Sequence, residues 1–423
     1  GNPPFIRSHL FPERSRTIAF QQMEQIGLRP SRLMSTWVPF IAISSTLLTD
    51  RGRLAFVIPE ELLHVNYAEE MRRFLLSRFR RVILCVPNGS IFTSVQQSVV
   101  LLLCDNDNIG PAGLFMISFS HLENNQMYAI DPAPAWDWCP KWTHVFLSHN
   151  ERTLASEIFA NLGWKPLSEY GRVEVGVVTG YNDFFIVPKS KVKKLEAEEF
   201  FTPIVTSARE LSGIQFTSQY FRNLVKKDKS MFLLNTSKPI KNLPHPLQEY
   251  LVEGENQGIN HRYKCRTREP WYAVPSVWPA DALLLRQAGE IPRMVHLNMK
   301  CTSTDTVHRV RWRKPSLGKF YTASFLNTLS LIACELTGRS YGGGVLELMP
   351  GEANRIPLPP LPERLKAIFE RLDSLVQLRQ FDKAIALVDQ VVIPGRFINI
   401  IEDARNILSK LIARRKNKQN GHS

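Results

Sequence analysis

Residues 53–79 read RLAFVIPEELLHVNYAEEMRRFLLSRF, and this stretch decides the fold class. Its first seven residues form a short apolar run after the turn residues TDRG, which is typical of a buried β-strand. In the rest of the stretch, apolar side chains recur at helical spacing, at Leu62, Leu63, Tyr67, Met71, Phe74 and Leu75. The stretch therefore predicts one strand followed by one helix.

Two further apolar runs follow directly along the chain. They are RVILCVP at 81–87 and SVVLLLCDN at 98–106, separated by a loop that contains glycine. Strands this apolar suit a sheet that is covered on both faces, as in proteins that alternate strands and helices. The first part of the chain is therefore predicted to have an α/β fold.

The charge of the chain is unevenly distributed. It has 423 residues with 53 Lys+Arg against 39 Asp+Glu, a formal net charge of +14. Residues 1–130 are almost balanced, with 12 cations against 10 anions, whereas residues 166–361 hold 26 against 18 and residues 362–423 hold 12 against 7. Such an excess is typical of a protein with a polyanionic partner, most often nucleic acid, although a mildly basic solvated surface would look the same.

The six cysteines are scattered along the chain and include no CxxC pair. This argues against a metal site of the zinc type and against a disulfide framework, and it favours a reducing compartment, so we expect a cytoplasmic protein. The longest apolar runs are too short to cross a bilayer, and we expect no membrane partner.

A tetrad of chemical interest lies at residues 2–5, where the chain reads Asn2, Pro3, Pro4 and Phe5. An aromatic amino group is a poor nucleophile because its lone pair is delocalised, and a site can activate it by accepting both of its N–H hydrogens. The Asn2 side-chain oxygen and the Pro3 carbonyl are suitable acceptors, and two prolines hold the backbone rigidly. Phe5 offers a face on which a flipped-out base can stack. The alternative is an ordinary Pro-Pro turn with Phe5 in the core.

Together with segments downstream, this tetrad resembles a known family, the adenine-specific N6 DNA methyltransferases of restriction–modification systems. The resemblance is to the γ arrangement of these class I enzymes, in which the catalytic region precedes a target recognition domain. The similar segments are 52–76, 91–103, 174–187, 261–272, 302–312 and 338–359. The resemblance implies S-adenosylmethionine as methyl donor, adenine in duplex DNA as acceptor, Asn2 to Phe5 as the catalytic residues, and Phe92 close to the adenine pocket.

The resemblance also implies a division of the chain. By the resemblance, residues 1–130 correspond to the C-terminal half of a Rossmann-like methyltransferase sheet and 166–361 to an α+β target recognition domain. The residue pattern itself predicts a linker at 131–165 and a helical tail at 362–423, and the tail resembles no segment of the family. In this family a Gly-rich turn and an acidic residue upstream of the tetrad hold the cofactor, and the glycine cluster YGGGV at 341–345 lacks the strand and helix of such a site. We therefore expect an N-terminally truncated chain that is inactive by itself, whose cofactor-binding residues are unknown, and whose partner is a missing N-terminal half or a separate restriction subunit.

Cations in the middle of the chain are the candidates for DNA contact. Arg309, Arg311 and Arg313 alternate, so on a strand they would share one face and could follow a phosphate backbone. Gly176 and Gly180 with Asn182 indicate a tight loop that needs positive φ. The residues that we predict to bind DNA are Asn182, Lys193, Lys194, Arg262, Lys264, Arg266, Arg309, Arg311 and Arg313.

Two other functions stay open at this stage. The first is a non-catalytic module that recognises a DNA sequence and positions a partner subunit. The second is methylation of a protein glutamine, since such enzymes use a similar tetrad on an amide nitrogen, but the long basic region after residue 165 disfavours it.

Overall fold

In the computed structural model, the described residues are 1–87, 99–119, 127–130, 139, 141–341, 344–360 and 364–417. The chain forms two compact units. The first comprises residues 1–163, 335–346 and 399–423, and the second comprises residues 164–334 and 347–398. The segment predicted as one helical tail thus gives its first part to the second unit and its last part to the first. The functional domain boundaries at 130, 165 and 361 stay a prediction.

The strands, in chain order, are β1 Arg53–Pro59, β2 Arg81–Pro87, β3 Val99–Asp105, β4 Gly113–Phe119, β5 Met127–Ile130, β6 Lys165–Pro166, β7 Gly171–Glu174, β8 Ile186–Val187, β9 Phe201–Val205, β10 Gln215–Thr217, β11 Phe232–Leu234, β12 Ala282–Leu285, β13 Gln287–Ala288, β14 Met294–Asn298, β15 Thr302–Ser303, β16 Val307–Trp312, β17 Arg339–Tyr341, β18 Val345–Glu347 and β19 Pro357–Leu358.

The helices, in chain order, are α1 Glu13–Gln25, α2 Trp37–Thr46, α3 Glu61–His64, α4 Glu69–Arg78, α5 His149–Asn161, α6 Leu167–Tyr170, α7 Asn182–Phe185, α8 Lys189–Lys194, α9 Ser218–Val225, α10 His245–Asn256, α11 Gly318–Ser324, α12 Thr328–Thr337, α13 Pro350–Ala353, α14 Arg364–Gln377, α15 Phe381–Val392 and α16 Ile401–Asn417.

The first unit contains a five-stranded sheet with the order β1-β3-β2-β4-β5. Strand β3 is antiparallel to both of its neighbours, β1 and β2, so that β1 and β2 run in the same direction. Strand β4 is parallel to β2, and β5 is antiparallel to β4. The crossover from β1 to β2 carries α3 and α4 and skips one strand position, which β3 then fills.

The three apolar runs do form neighbouring strands of one sheet, as the sequence predicts. The helix predicted over residues 60–79 is instead broken after His64 into α3 and α4. The buried guanidinium of Arg72 explains how the break is tolerated, because its Nη1 donates to the carbonyl oxygens of Leu62 and Val65 at 2.8 and 3.1 Å. A buried cation at the end of α3 thus satisfies carbonyls that a continuous helix would have bonded itself.

The core of the first unit is formed by the side chains of β1–β4 and α1–α4. Its largest fully buried members include Trp37, Ile58 and Met71. This packing fixes the end of β1 and the start of α2, the two elements that hold residues 1–6.

The second unit has a mixed α+β architecture. Its largest sheet has the order β10-β14-β12-β16-β7, with β10 and β14 parallel and the remaining pairs antiparallel. A second sheet has the order β15-β9-β11-β8. Separate clusters of buried apolar side chains pack around these sheets, one including Phe185 and Leu251 and another including Phe216 and Leu283.

All six cysteines are free and buried. Within the described ranges, no helix combines the length and the apolar character that are needed to cross a bilayer.

Candidate active site and nucleic-acid surface

Residue 1 lies against the outer edge of β1. Its amino group donates to the carbonyl oxygen of Ala55 at 2.5 Å, and the Val57 N–H donates to the Gly1 carbonyl oxygen at 2.9 Å. This pair of bonds has the pattern of parallel strand pairing. A Cβ at position 1 would lie 2.6 Å from the Phe56 ring, so a larger residue there would have to displace that ring.

Residues 4–6 are fastened on their other side by Thr36, the buried residue that directly precedes α2. Its hydroxyl donates to the Pro4 carbonyl oxygen and accepts the Ile6 N–H at 3.0 Å. The backbone N–H of Thr36 also donates to the Ile6 carbonyl oxygen, at 3.1 Å. The tetrad is therefore clamped at both ends, by β1 before it and by Thr36 after it.

Two hydrogen-bond acceptors of the tetrad stay available between these clamps. Within the described part of the chain, no hydrogen bond reaches either the Asn2 side chain or the Pro3 carbonyl oxygen, and Asn2 is exposed. Pro3 is buried and Phe5 is half-buried against the core of the unit. The Asn2 side chain and the Pro3 carbonyl oxygen thus have no donor among the described residues, on a backbone that prolines and hydrogen bonds hold rigid.

The hydroxyl of the half-buried Tyr67 lies next to the residue that precedes Thr36. The Tyr67 hydroxyl donates to Glu61 Oε2 at 2.7 Å and lies 3.3 Å from the hydroxyl of Ser35, the residue before Thr36. Burial, followed by the negative charge of Glu61, raises the pKa of Tyr67 above its ordinary value, so this phenol keeps its proton at neutral pH. The sequence gives no signal for these supports, because Tyr67 counts only as an apolar position of the helix. Phe92, predicted near the base pocket, lies outside the described residues.

In the second unit, the lysines of the basic helix α8 have two kinds of surroundings, aromatic rings and solvent. Lys189 and Lys191 lie over aromatic rings, with Nζ 5.3 Å from the centroid of Phe232 and 4.7 Å from that of Tyr250. Lys193 and Lys194 are exposed at the end of the same helix. The two predicted DNA-contact lysines of this run are therefore the ones that face solvent.

Residues 261–268, which we call the basic turn, form a second cationic surface. Arg262, Lys264 and Arg266 are exposed, while Cys265 between them is buried. The guanidinium carbon of Arg262 lies 3.7 Å from the ring centroid of Tyr181. The buried Cys265 anchors the turn, and this anchor holds the three neighbouring cations on the surface of the unit.

The loop at residues 176–182 lies beside the basic turn. Gly180 has φ +93° and lies so close to the turn that a Cβ there would be 3.0 Å from the Lys264 Cβ, which agrees with the predicted positive φ. Gly176 is needed for a close approach of two backbone segments, because a Cβ there would lie 2.0 Å from the Thr304 carbonyl oxygen. The exposed Asn182 accepts a hydrogen bond from the Thr179 hydroxyl at 2.6 Å through its own Oδ1.

The three alternating arginines lie on β16 and directly after it, and they do not have equal surroundings. Arg309 and Arg311 share one face, with guanidinium carbons 4.1 and 4.2 Å from the ring centroid of Trp278. Arg311 and Arg313 are exposed, but Arg309 is only 2% exposed.

Arg309 donates to the carbonyl oxygen of Val175 at 2.9 Å and to that of Ser276 at 2.6 Å. Burial lowers its pKa to about 10. The sequence alternation therefore identifies the shared face, but the guanidinium of Arg309 holds two loops together, and we do not count it among the residues that face a ligand.

Two models of known protein families match the sequence of this chain. The family described as "Eco57I restriction-modification methylase" matches residues 1–88, which contain the clamped tetrad, and "Type II methyltransferase M.Eco57I, C-terminal domain" matches residues 140–393. Both belong to the DNA methyltransferases of restriction–modification systems. Since the second match covers more than half of the chain, the chain belongs to the M.Eco57I C-terminal domain family. The family resemblance expected from the sequence is confirmed at this level.

Individual relatives agree with this assignment. The chain is 24% identical over 376 residues to the Type II methyltransferase M.AccI of Acinetobacter calcoaceticus, covering 84% of the chain and 67% of that protein. It is 23% identical over 369 residues to M.XamI of Xanthomonas campestris pv. amaranthicola, covering 85% and 67%.

One solved structure supports the fold. That of the Type IIL restriction–modification enzyme MmeI in complex with DNA matches with a TM-score of 0.54 at 12% identity, covering 98% of the chain but 57% of the MmeI chain. The chain therefore spans about two thirds of its named relatives and little more than half of this structure.

Proposed function

We propose that this chain takes part in the transfer of a methyl group to N6 of an adenine that has been turned out of duplex DNA. The observation that carries the proposal is the clamped tetrad, in which the Asn2 side chain and the Pro3 carbonyl face no intramolecular donor from the described residues.

The chemistry follows from the acceptors. An exocyclic amine becomes nucleophilic as its nitrogen turns tetrahedral, and two acceptors placed against its two N–H hydrogens favour that geometry. Asn2 Oδ1 and the Pro3 carbonyl oxygen would accept these hydrogens, while the exposed part of Phe5 would stack on the base. Both acceptors are neutral. The nitrogen would attack the methyl group as the bond from that methyl to the donor sulfur breaks, and one of the two N–H protons would then pass to solvent.

The arrangement of the first sheet supports the same proposal. Strand β3 runs antiparallel between the parallel strands β1 and β2, and residue 1 pairs in parallel fashion with the free edge of β1. We infer that this is the C-terminal half of a Rossmann-like methyltransferase sheet. In such sheets, ligands bind beyond the carboxyl ends of the parallel strands, which is where the tetrad leaves the edge of β1.

A donor of the S-adenosylmethionine type would supply an electrophilic methyl group. The described residues do not fit the main site for such a cofactor, since no described strand is followed by a glycine-rich turn and a helix of more than one turn. We therefore assign the cofactor to no residue of this chain.

The second unit would supply the contacts to duplex DNA, and we propose that it corresponds to the target recognition domain. Its exposed cations are spread over α8, the basic turn and β16, and phosphate neutralisation by such side chains provides most of the sequence-independent affinity. The proposed contact residues are Asn182, Lys193, Lys194, Arg262, Lys264, Arg266, Arg311 and Arg313.

The complete gene product that contains this chain is the material for the test. Asn2→Ala should lower methyl transfer to DNA by at least about 100-fold, as the loss of one preorganised polar group does elsewhere, while DNA affinity stays within about 2-fold. Asn66→Ala, which changes an exposed asparagine of the same unit, is the matched control and should be normal. Normal turnover by Asn2→Ala would contradict the role of the tetrad. A wild-type protein that binds DNA and transfers no methyl group would favour the non-catalytic recognition module.

A further inference from the structure

We propose that Tyr263 is a stacking residue that inserts its ring at a DNA step where the bases have been unstacked. This inference rests on the proposed function, because it takes DNA as the partner of the second unit.

The exposure of the ring is the first observation. Tyr263 is 67% exposed, and among the aromatic residues whose side-chain burial the structure describes the other exposed one is Phe40, at 46%. The other aromatic residues of its surroundings, Tyr181, Trp271 and Tyr272, are buried or half-buried. A large ring that lies in water contributes little to the fold, and because tyrosine is enriched at binding interfaces, this ring is available to a partner.

The charge around the ring is the second observation. Lys264 Nζ lies 5.5 Å and the Arg266 guanidinium carbon 5.6 Å from the Tyr263 ring centroid. Neither of these cations, nor Arg262 beside them, forms an ion pair with any acidic side chain in the described ranges. Two exposed cations therefore lie over the ring, and no acidic side chain in the described ranges neutralises them; an aromatic ring beside such cations is the combination found where proteins bind unpaired bases.

The rigidity of the basic turn is the third observation. The N–H groups of Cys265 and Arg266 both donate to the Arg262 carbonyl oxygen at 2.9 Å, and the Cys265 side chain is fully buried. The Arg268 guanidinium donates to the carbonyl oxygens of Val178 and Thr179, each at 2.8 Å, which fastens the turn to the neighbouring loop. Tyr263 is thus presented on a preorganised support, so that little conformational entropy is lost on binding.

The chemistry selects the kind of DNA contact. The phenol hydroxyl can donate to a phosphate oxygen, but the ring itself stacks on any base that has an open face, and the Tyr263→Phe variant distinguishes the two contacts. Bases inside an intact duplex have no open face. A base that turns out of the duplex leaves such faces on its neighbours, and an inserted ring would compensate for the lost stacking.

The test uses the 423-residue chain and two labelled 30-base-pair DNAs, one fully paired and one with a central mismatched bubble, compared by fluorescence anisotropy. Tyr263→Ala should weaken binding to the bubble by about 10-fold, within the range for one stacked base, and binding to the paired duplex by less than about 2-fold. Tyr263→Phe should bind both DNAs like the wild type. Phe40→Ala, which removes the other exposed ring, should also be unchanged. An iododeoxyuridine placed in the bubble should crosslink to the peptide that contains Tyr263.

The outcomes separate this inference from the function on which it rests. If the wild-type chain binds neither DNA, the proposed function fails. If it binds both and Tyr263→Ala binds the bubble equally well, or loses the same factor on both DNAs, the stacking role is overturned and the DNA-binding function stands. A loss with Tyr263→Phe as large as that with alanine would also overturn it, because it would show that the hydroxyl and not the ring makes the contact.

Discussion

Arg415 and Glu335 form a buried ion pair inside the first unit, with each side chain only 3% exposed. Two guanidinium nitrogens take part: Nη2 donates to Glu335 Oε1 at 2.9 Å, and Nε donates to Oε2 at 3.0 Å. The remaining Nη1 donates to the Gly344 carbonyl oxygen. Helix α16, for which the sequence suggests no function, is therefore held in the unit that carries the tetrad.

Replacing Arg415 by alanine should destabilise the first unit strongly, because Glu335 would be left buried without its cation. The expected loss in the free energy of unfolding is about 3–5 kcal/mol. Hydrogen exchange of amides in β1–β3 would report this loss separately from the second unit. Arg73→Ala, which removes a solvent-exposed pair with Glu69, is the control and should cost about 0–1 kcal/mol. Equal effects of the two variants would contradict the importance of the buried pair.

Thr36 is expected to position the tetrad without touching the substrate. Thr36→Val keeps the shape of the side chain and removes the hydroxyl bonds to Pro4 and Ile6. In the complete enzyme, kcat should fall about 10- to 100-fold as the loop loses its fixed geometry, while the KM for DNA changes little. Thr36→Ser retains the hydroxyl and should restore kcat. A rise in KM with unchanged kcat, or failure of serine to rescue, would indicate another role.

His308 gives the second unit a predictable response to acid. The ring is buried, and Nε2 lies 2.8 Å from the Leu348 carbonyl oxygen. Burial lowers its pKa below the ordinary value of 6.5, and Arg286 acts in the same direction, whereas the Leu348 carbonyl, Glu347 and Glu352 oppose them. The folded protein therefore prefers the neutral ring. Its contribution to stability is fully present above pH 6.5 and is lost as the pH falls below this value.

We expect the free energy of unfolding of the second unit to fall as the pH drops below 6.5, with up to about 1.4 kcal/mol per pH unit from this group. His308→Gln should flatten that part of the curve, and the exposed His261→Gln should leave it unchanged. His296, whose pKa is also lowered by burial, would account for a decline that persists in the variant. An unchanged slope in His308→Gln would contradict a neutral buried ring.

Arg309 and Arg311 should respond in opposite ways to the same substitution. Arg311→Ala should weaken DNA binding and lower the slope of log affinity against log salt by about 1, with stability nearly unchanged. Arg309→Ala should destabilise the second unit by about 1–3 kcal/mol, because the Val175 and Ser276 carbonyls lose a buried donor. Anisotropy titrations at several salt concentrations and urea unfolding would measure both. A larger change in salt slope for Arg309→Ala would reverse the assignment.

For these two arginines, the sequence predicts the shared strand face but not the burial of one of them. Alternation places Arg309 and Arg311 on one face, since the two-residue period is a property of any strand. The alternation does not show that the carbonyl oxygens of Val175 and Ser276 bind Arg309 and not Arg311. The runs that form β1, β2 and β3 are recognisable because they are almost continuously apolar, although β1 is buried only in part, with Ala55 exposed and Phe56 and Val57 half-buried. The break between α3 and α4 depends on Arg72, a residue that the apolar pattern does not count.

In the candidate site too, some residues can be predicted from the sequence and others cannot. The tetrad is recognisable because its chemistry needs Asn2 and the prolines in direct succession. Thr36 lies thirty residues further along the chain and acts through an oxygen that any threonine has, so nothing local distinguishes it. The sequence shows that Tyr263 is an aromatic residue among cations. It does not show which residues of this turn are buried, and the structure buries Cys265 and leaves Tyr263 exposed.

The methylated product shows whether the clamped tetrad serves the methylation of adenine at N6. The complete gene product would be expressed in a host without adenine methylation of its own, and the DNA would be digested to nucleosides and analysed by mass spectrometry. We predict N6-methyldeoxyadenosine with the wild type and none with Asn2→Ala. A methylated cytosine as the only product, or N6-methyldeoxyadenosine at the wild-type level with Asn2→Ala, would contradict the account.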